Sequence, residues 1–161
     1  MTTPWSDLAL QTRATRAAAL ALLCLAGCRL ITGDDTAWRR RVGVIGTGGD
    51  QAAPEVLQAP AEATAGVPFA VTVTTFGGGC IRSDGVEGRY AGLVVELTPY
   101  DIYHEGPGVV CTLELRFMPR KVSVRFDASG VATIRLRGRR GFGTSGPDAE
   151  LVTIERQVTV R

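Results

Sequence analysis

This chain of 161 residues has little excess of either charge and few long apolar runs. Its 18 lysines and arginines nearly balance 16 acidic residues, and the formal net charge of +2 excludes a strongly basic nucleic-acid binder and an acidic disordered tail. Aromatic residues make up only 6% of the chain, and its 20 glycines do not follow a collagen repeat. The length predicts one domain with a short appendage.

Metal-ligating side chains are also few. His104 is the only histidine, and Cys80 and Cys111 are the only cysteines beyond the N-terminal segment of residues 1–28. This is a poor set for structural zinc, because such sites take four nitrogen or sulfur ligands. We therefore expect no metal site and no cofactor.

The one markedly apolar run occupies residues 17–27 and follows Arg13 and Arg16. It is too short for a spanning helix, which needs roughly 20 apolar residues, and a basic start followed by a short apolar run is typical of a secretory signal peptide. The run ends in Leu25-Ala26-Gly27-Cys28, which resembles the lipobox of bacterial lipoproteins. The alternatives are an ordinary signal peptide or a buried helix that ends in cysteine.

The lipobox resemblance implies that a signal helix, residues 1–27, is cleaved and that lipid is attached to Cys28. Two or more acyl chains on one residue make a stable anchor. We therefore expect a cell-envelope protein whose first partner is the membrane. It would face the periplasm or the exterior without spanning the bilayer.

Two cysteines remain once the signal peptide and the lipid are accounted for, and they are Cys80 and Cys111. In an exported chain, a single remaining pair predicts one disulfide bond. Free thiols or a metal site are the alternatives.

The hydrophobic pattern after residue 67 has a period of two, which predicts strands with one buried and one solvated face. Pro119 separates two of the apolar runs, and residues 127–130, Asp-Ala-Ser-Gly, predict a short hairpin turn between strands. With a short strand near residues 55–59, the pattern predicts an all-β domain, an antiparallel β-sandwich of about seven strands. The apolar alternation covers residues 69–73, 93–97, 113–117, 122–126, 132–136 and 152–160.

Two segments of this domain are similar to bacterial immunoglobulin-like modules. Residues 65–73, Ala-Gly-Val-Pro-Phe-Ala-Val-Thr-Val, resemble the entry into the second strand of those modules, and residues 122–132 resemble their late hairpin. The resemblance implies an immunoglobulin-like sandwich over residues 54–161, as in exported lipoproteins of this architecture, and implies no activity. The cysteines depart from the antibody pattern, because no tryptophan lies between them.

Residues 28–53 are expected to form the lipidated N-terminus and a tether. Within them, Arg41 to Ile45 are compatible with an extra edge strand instead. Residues 42–49, Val-Gly-Val-Ile-Gly-Thr-Gly-Gly, look like a dinucleotide-binding turn. However, Gln51 replaces the third glycine and Pro54 interrupts the helix that should follow, so we interpret them as a strand and a linker.

Two predicted loops hold the candidate contact residues. The first spans residues 100–108 and the second residues 138–147, and loops commonly carry binding on this fold. Neither contains a legible nucleophile and base, so we expect no catalysis. The candidates are Tyr100, Asp101, Tyr103, His104, Arg139, Arg140 and Phe142.

These observations predict a lipid-anchored envelope protein whose domain is structural or binds another protein. The alternative is a module that binds a glycan or a small ligand through the two loops. An enzyme of unidentified class is the least favoured interpretation, and no nucleic-acid partner is expected.

Overall fold

The computed structural model describes residues 37–46, 55–141 and 150–161. The predicted signal peptide, Cys28 and Phe142 lie outside these ranges. The described residues form ten strands and no helix, which confirms the predicted all-β class. These ranges therefore contain no helix that could cross a membrane. The strands are β1 (Ala37–Val42), β2 (Val44–Gly46), β3 (Leu57–Gln58), β4 (Glu62–Ala63), β5 (Phe69–Gly77), β6 (Ile81–Ala91), β7 (Val94–Glu105), β8 (Arg116–Val124), β9 (Gly130–Arg140) and β10 (Leu151–Val160).

The strands join one mixed sheet rather than a purely antiparallel one. Its main path runs β1-β7-β9-β2-β5-β3, and β6, β8 and β10 pair with β7, β5 and β9. Most pairs are antiparallel, but β7 runs parallel to β9, β2 parallel to β9, and β4 parallel to β10. The sheet curls, because side chains from the distant strands β5, β7 and β9 pack into one core.

The core follows the predicted alternation. Val71 and Val73 of β5, Leu97 of β7, and Ile134 and Leu136 of β9 are all fully buried. Burying an aliphatic side chain of this size contributes about 1.5–3 kcal/mol relative to leaving it exposed. The period of two therefore identified the face that drives folding.

Residues 37–46 lie within the sheet, which decides between the two interpretations of Arg41 to Ile45. Strand β1 pairs with β7, and at Gly43 the chain leaves β7 and continues as β2 between β9 and β5. The Gly43 amide donates to the Pro99 carbonyl oxygen (2.8 Å), and the Gly43 carbonyl accepts from the Arg139 amide (2.9 Å). The strand therefore changes partner at a single residue.

Gly43 is required for its size. An added Cβ would lie 2.6 Å from Cγ2 of Thr75 and 2.7 Å from Oδ2 of Asp101, closer than real Cβ contacts come. The glycine that resembles part of a nucleotide-binding turn is therefore explained by the close passage of its backbone over two buried side chains.

Several local predictions are wrong. Strand β8 continues through Pro119, which is tolerated because β8 pairs with β5 alone among the described strands, and a proline fits an edge strand. Residues 113–115 are not in a strand. Residues 125–129 connect β8 to β9, which do not pair with each other, so this connection is not the expected hairpin.

Strand β6 was missed altogether. It hydrogen bonds as a strand only to β7 and has no fully buried residue, so it lacks the apolar alternation on which the prediction depended. Its register with β7 shifts between Ser83 and Val86, where Asp84 and Gly85 bulge out of the ladder. The Gly85 carbonyl oxygen in this bulge accepts a hydrogen bond from the Arg120 side chain of β8.

Candidate functional site

The candidate residues predicted in two loops lie largely on strands. Residues 100–105 belong to β7 and residues 138–140 to β9, so both loop predictions are wrong at these positions. In β7 the burial alternates, with Asp101 and Tyr103 on the inner face and Tyr100 and His104 partly exposed on the outer face. The alternation was hidden in the sequence because the inner side chains are polar.

A buried ion pair lies beneath the end of the curled sheet. Nη2 of Arg120 in β8 donates to Oδ1 of Asp101 at 2.6 Å, and the Thr75 hydroxyl donates to the same oxygen at 3.1 Å. The Asp101 side chain is fully buried, whereas 11% of the Arg120 side chain is exposed. An isolated carboxylate at this depth would cost several kcal/mol, so Arg120 is the partner that permits it.

Arg120 also makes a side-chain bridge between the edge strands β6 and β8, which do not pair with each other. Its Nη1 donates to the Tyr100 carbonyl oxygen at 2.7 Å and to the Gly85 carbonyl oxygen, in the β6 bulge, at 3.3 Å. Its Nη2 contacts the Thr75 hydroxyl as well. One guanidinium therefore joins β5, β6, β7 and β8.

Sequence reasoning did not single out Arg120, although a signal was present. Val122 and Val124 alternate on the inner face, and extending that alternation backwards by one step places Arg120 inside. An arginine at an inward position predicts a buried acidic partner, because charged groups are seldom buried unpaired.

Asp101 is satisfied on one oxygen only. Its Oδ2 is buried and has no hydrogen-bond partner among the described residues, and the Gly43 backbone passes close to it. Burial raises the pKa of the Asp101 carboxyl above its ordinary value, and the hydrogen bond and charge of Arg120 offset only part of that rise.

A second inward-facing arginine, Arg139 of β9, is more deeply buried than Arg120 and is only 4% exposed. Its Nε donates to the Val42 carbonyl oxygen at 2.6 Å, and its Nη2 donates to the Tyr103 hydroxyl. Burial raises the pKa of Tyr103, so its hydroxyl is neutral at physiological pH. None of the ion pairs found within the described ranges includes Arg139.

A cavity of about 350 Å³ opens above Arg139 and Tyr103. The disulfide bond between Cys80 and Cys111 forms part of its wall, with Cα atoms 5.3 Å apart, and confirms the predicted pairing. The apolar side chains that line the cavity are Val44, Phe76, Ile81 and Leu113, and His104, Glu105, Thr112 and Glu114 also contribute.

The outer face of β7 carries a separate aromatic cluster. The His104 ring stacks on Trp38 with centroids 4.5 Å apart, and the Arg82 guanidinium lies 4.3 Å from the Trp38 ring centroid. The Arg40 guanidinium lies 3.6 Å from the Tyr100 ring centroid. These contacts occupy aromatic faces that a sugar ring would otherwise stack on.

The structure therefore brings together only part of the predicted set. Tyr103 and Arg139 line the cavity, and Asp101 lies in the buried ion pair. Tyr100 contributes to the outer cluster, and so does His104, which borders the cavity as well. Arg140 is exposed and lies 3.6 Å from Glu150.

Within the described ranges, no group of three or more histidine, cysteine or acidic residues is arranged to hold a metal ion. The cavity instead combines an apolar wall with a guanidinium and a phenol, which can bind an organic group. Comparisons with protein-family models, curated proteins and solved structures find no match for this chain.

Proposed function

We propose that this chain is an exported, lipid-anchored protein of the cell envelope whose β-domain binds a partner protein and does no catalysis. The Leu25-Ala26-Gly27-Cys28 sequence supports the anchor, and the Cys80–Cys111 disulfide supports an oxidising compartment, where such bonds persist. The membrane is then the first partner, reached through lipid on Cys28.

We also propose that the domain is a divergent immunoglobulin-like module. Its curled sheet wraps both sides of one core, as the two sheets of a sandwich do, and most of its strand pairs are antiparallel. The parallel pairings of β7 with β9, β2 with β9 and β4 with β10 are departures from a purely antiparallel sandwich.

The observation that carries the partner-binding proposal is an exposed apolar strip at the edge of the sheet. Val110 is 92% exposed, Leu113 is fully exposed, and Leu115 and Phe117 are about half exposed. The strip leads directly into β8, whose strand pairing within the described chain is to β5 alone. Exposed apolar patches mark interaction surfaces, and open strand edges accept a strand from a partner.

The glycan alternative receives less support. Tyr100 and Trp38 have rings covered by Arg40, His104 or Arg82, and Tyr103 is buried. A protein partner that pairs with β8 and covers the strip uses the open edge without displacing these contacts.

The position of the only lysine allows a direct test in cells. Lys121 is exposed on β8, so an amine-reactive crosslinker would capture a protein bound at this edge. We expect a crosslinked species with the wild-type protein and its loss in Val110→Asp/Leu115→Asp. The double variant should fold, because surface substitutions usually change stability by about 0.5 kcal/mol or less.

The matched control is Val131→Asp, which changes a valine on β9 that is 60% exposed, a value between those of Leu115 and Val110. It should leave the crosslinked species intact, and Lys121→Arg should abolish it. An unchanged crosslink in the double variant, or none in the wild type, would contradict the proposed surface.

A further inference from the structure

We propose that the cavity beside the Cys80–Cys111 disulfide binds a small organic monoanion with an apolar body, whose carboxylate pairs with Arg139. The cavity and the apolar strip share Leu113, but Val110, Leu115 and Phe117 do not line the cavity, so the variants that test the strip leave the cavity wall unchanged. Three features of the cavity carry the inference, namely its unbalanced charge, its apolar wall and its two converging donors.

The charge of Arg139 is not balanced by a carboxylate of its own. Asp101 is paired with Arg120 at 2.6 Å, and Glu105 is paired with Arg41 at 2.5 Å. Arg139 instead donates hydrogen bonds to two neutral acceptors, the Val42 carbonyl oxygen and the Tyr103 hydroxyl. The charge of Asp101 acts on Arg139 without direct contact, so an anion in the cavity would give this buried guanidinium a carboxylate partner at hydrogen-bond distance.

Because the other two arginines are paired with carboxylates, Arg139 leaves one unpaired positive charge at the cavity, and this favours a ligand with one negative charge. Glu105 and Glu114 also line the cavity, so a second negative charge on the ligand would meet acidic side chains rather than a second arginine. A carboxylate fits the planar fork of the Arg139 guanidinium. A doubly charged group would be repelled by the two glutamates.

The remainder of the cavity suits an apolar body. Val44, Phe76, Ile81 and the disulfide form its wall, and a volume of about 350 Å³ lies within the usual range for small-molecule sites. Such sites are mainly apolar and use a few polar groups to orient the ligand.

Tyr103 acts as a positioning residue and a second donor. Its hydroxyl oxygen accepts a hydrogen bond from Nη2 of Arg139, which holds the guanidinium in place. The hydroxyl proton is not engaged by any hydrogen bond found in the described part of the chain, so it can be donated to a carboxylate oxygen. Nη1 of Arg139 likewise donates to no acceptor there.

Calorimetric titration of the full-length chain carrying Cys28→Ser tests the proposal without detergent. The probes are octanoate, 4-phenylbutyrate and cyclohexanecarboxylate, each compared with the alcohol of the same carbon skeleton. We expect at least one carboxylate to bind about ten-fold or more tightly than its alcohol, because a hydrogen bond to a charged group contributes that much.

Arg139→Met should weaken the binding of that carboxylate by about ten- to a hundred-fold and leave the alcohol unchanged. Arg139→Lys should restore part of the affinity, since it keeps the charge without the fork. The matched control is Arg140→Met, on the exposed neighbour, which should bind as the parent protein does.

Equal affinity for every carboxylate and its alcohol would overturn the proposal, and so would the absence of any binding. Tighter binding of octyl phosphate than of octanoate would overturn the assignment to a monoanion. The comparison of acids with alcohols needs no variant, so it remains decisive if Arg139→Met does not fold. Neither result bears on crosslinking at Lys121, so this proposal and the partner surface can fail separately.

Discussion

Replacing Arg120 with methionine should destabilise the domain more than any exposed charge substitution. The change leaves the Asp101 carboxylate fully buried, with the Thr75 hydroxyl as its one remaining hydrogen bond. It also removes the donor to the Tyr100 and Gly85 carbonyl oxygens, which joins β8 to β7 and β6. Breaking a buried pair in this way costs about 3–5 kcal/mol, a large part of the 5–15 kcal/mol typical of a whole domain.

The loss should depend on pH. Because the folded pKa of Asp101 is raised above its ordinary 3.8, the folded state binds the proton more tightly than the unfolded state does. The stability this contributes is complete below the unfolded pKa and is lost as pH rises through the folded pKa. Removing Arg120 raises the folded pKa further, so the difference between variant and wild type should shrink in mildly acidic solution.

Urea unfolding followed by circular dichroism, at neutral and at mildly acidic pH, measures both effects. The matched control is Arg135→Met, which breaks an exposed pair with Glu155 (2.7 Å) and should cost about 1 kcal/mol or less. Arg120→Met/Asp101→Asn should recover part of the loss, because a neutral amide needs no counter-ion. Equal losses for Arg120→Met and Arg135→Met, or a loss unchanged by pH, would refute the reasoning.

Two further substitutions test the anchor and the strand crossover. Cys28→Ser should move the protein from the membrane to the soluble fraction with its signal peptide retained or miscut, whereas Cys24→Ser should not, and unchanged partitioning of Cys28→Ser would contradict lipid attachment. Gly43→Ala should lower the free energy of unfolding by about 1–3 kcal/mol, because its Cβ would lie within 2.7 Å of buried Thr75 and Asp101 atoms. Gly85→Ala, whose Cβ meets no atom within 4 Å, is the control, and equal melting temperatures for the two alanine variants would show that Gly43 is not constrained in this way.

Predictions from local pattern succeeded where one face of a strand is apolar. Residues 69–73, 94–97 and 132–136 lie in strands whose alternating residues are buried, because apolar burial drives both the pattern and the fold. Strand β6 and residues 100–105 escaped prediction. The first is an exposed edge, and the inner face of the second is polar, so neither carries the apolar alternation.

The candidate site was predicted only in part, for a related reason. Tyr103 and Arg139 are 36 residues apart, and Asp101 and Arg120 are 19 apart. The sequence identified Asp101, Tyr103 and Arg139 as candidates because they occur in polar segments that were predicted to be loops. Arg120, in an apolar alternation, was passed over, and His104 and Tyr103 appeared as neighbours although they lie on opposite faces of β7.

Sequence alone predicted the β class, most of the apolar core and the pairing of Cys80 with Cys111. The first two depend on local alternation, and the third on the expectation that Cys24 and Cys28 are removed or lipidated. Only the tertiary structure decided that β7 runs parallel to β9, that the chain changes partner at Gly43, and that two inward-facing arginines have different partners. The period of a strand specifies which face is buried but not which strand lies beside it. That choice depends on long-range contacts, and it is what gives Asp101 a counter-ion and leaves Arg139 facing a cavity.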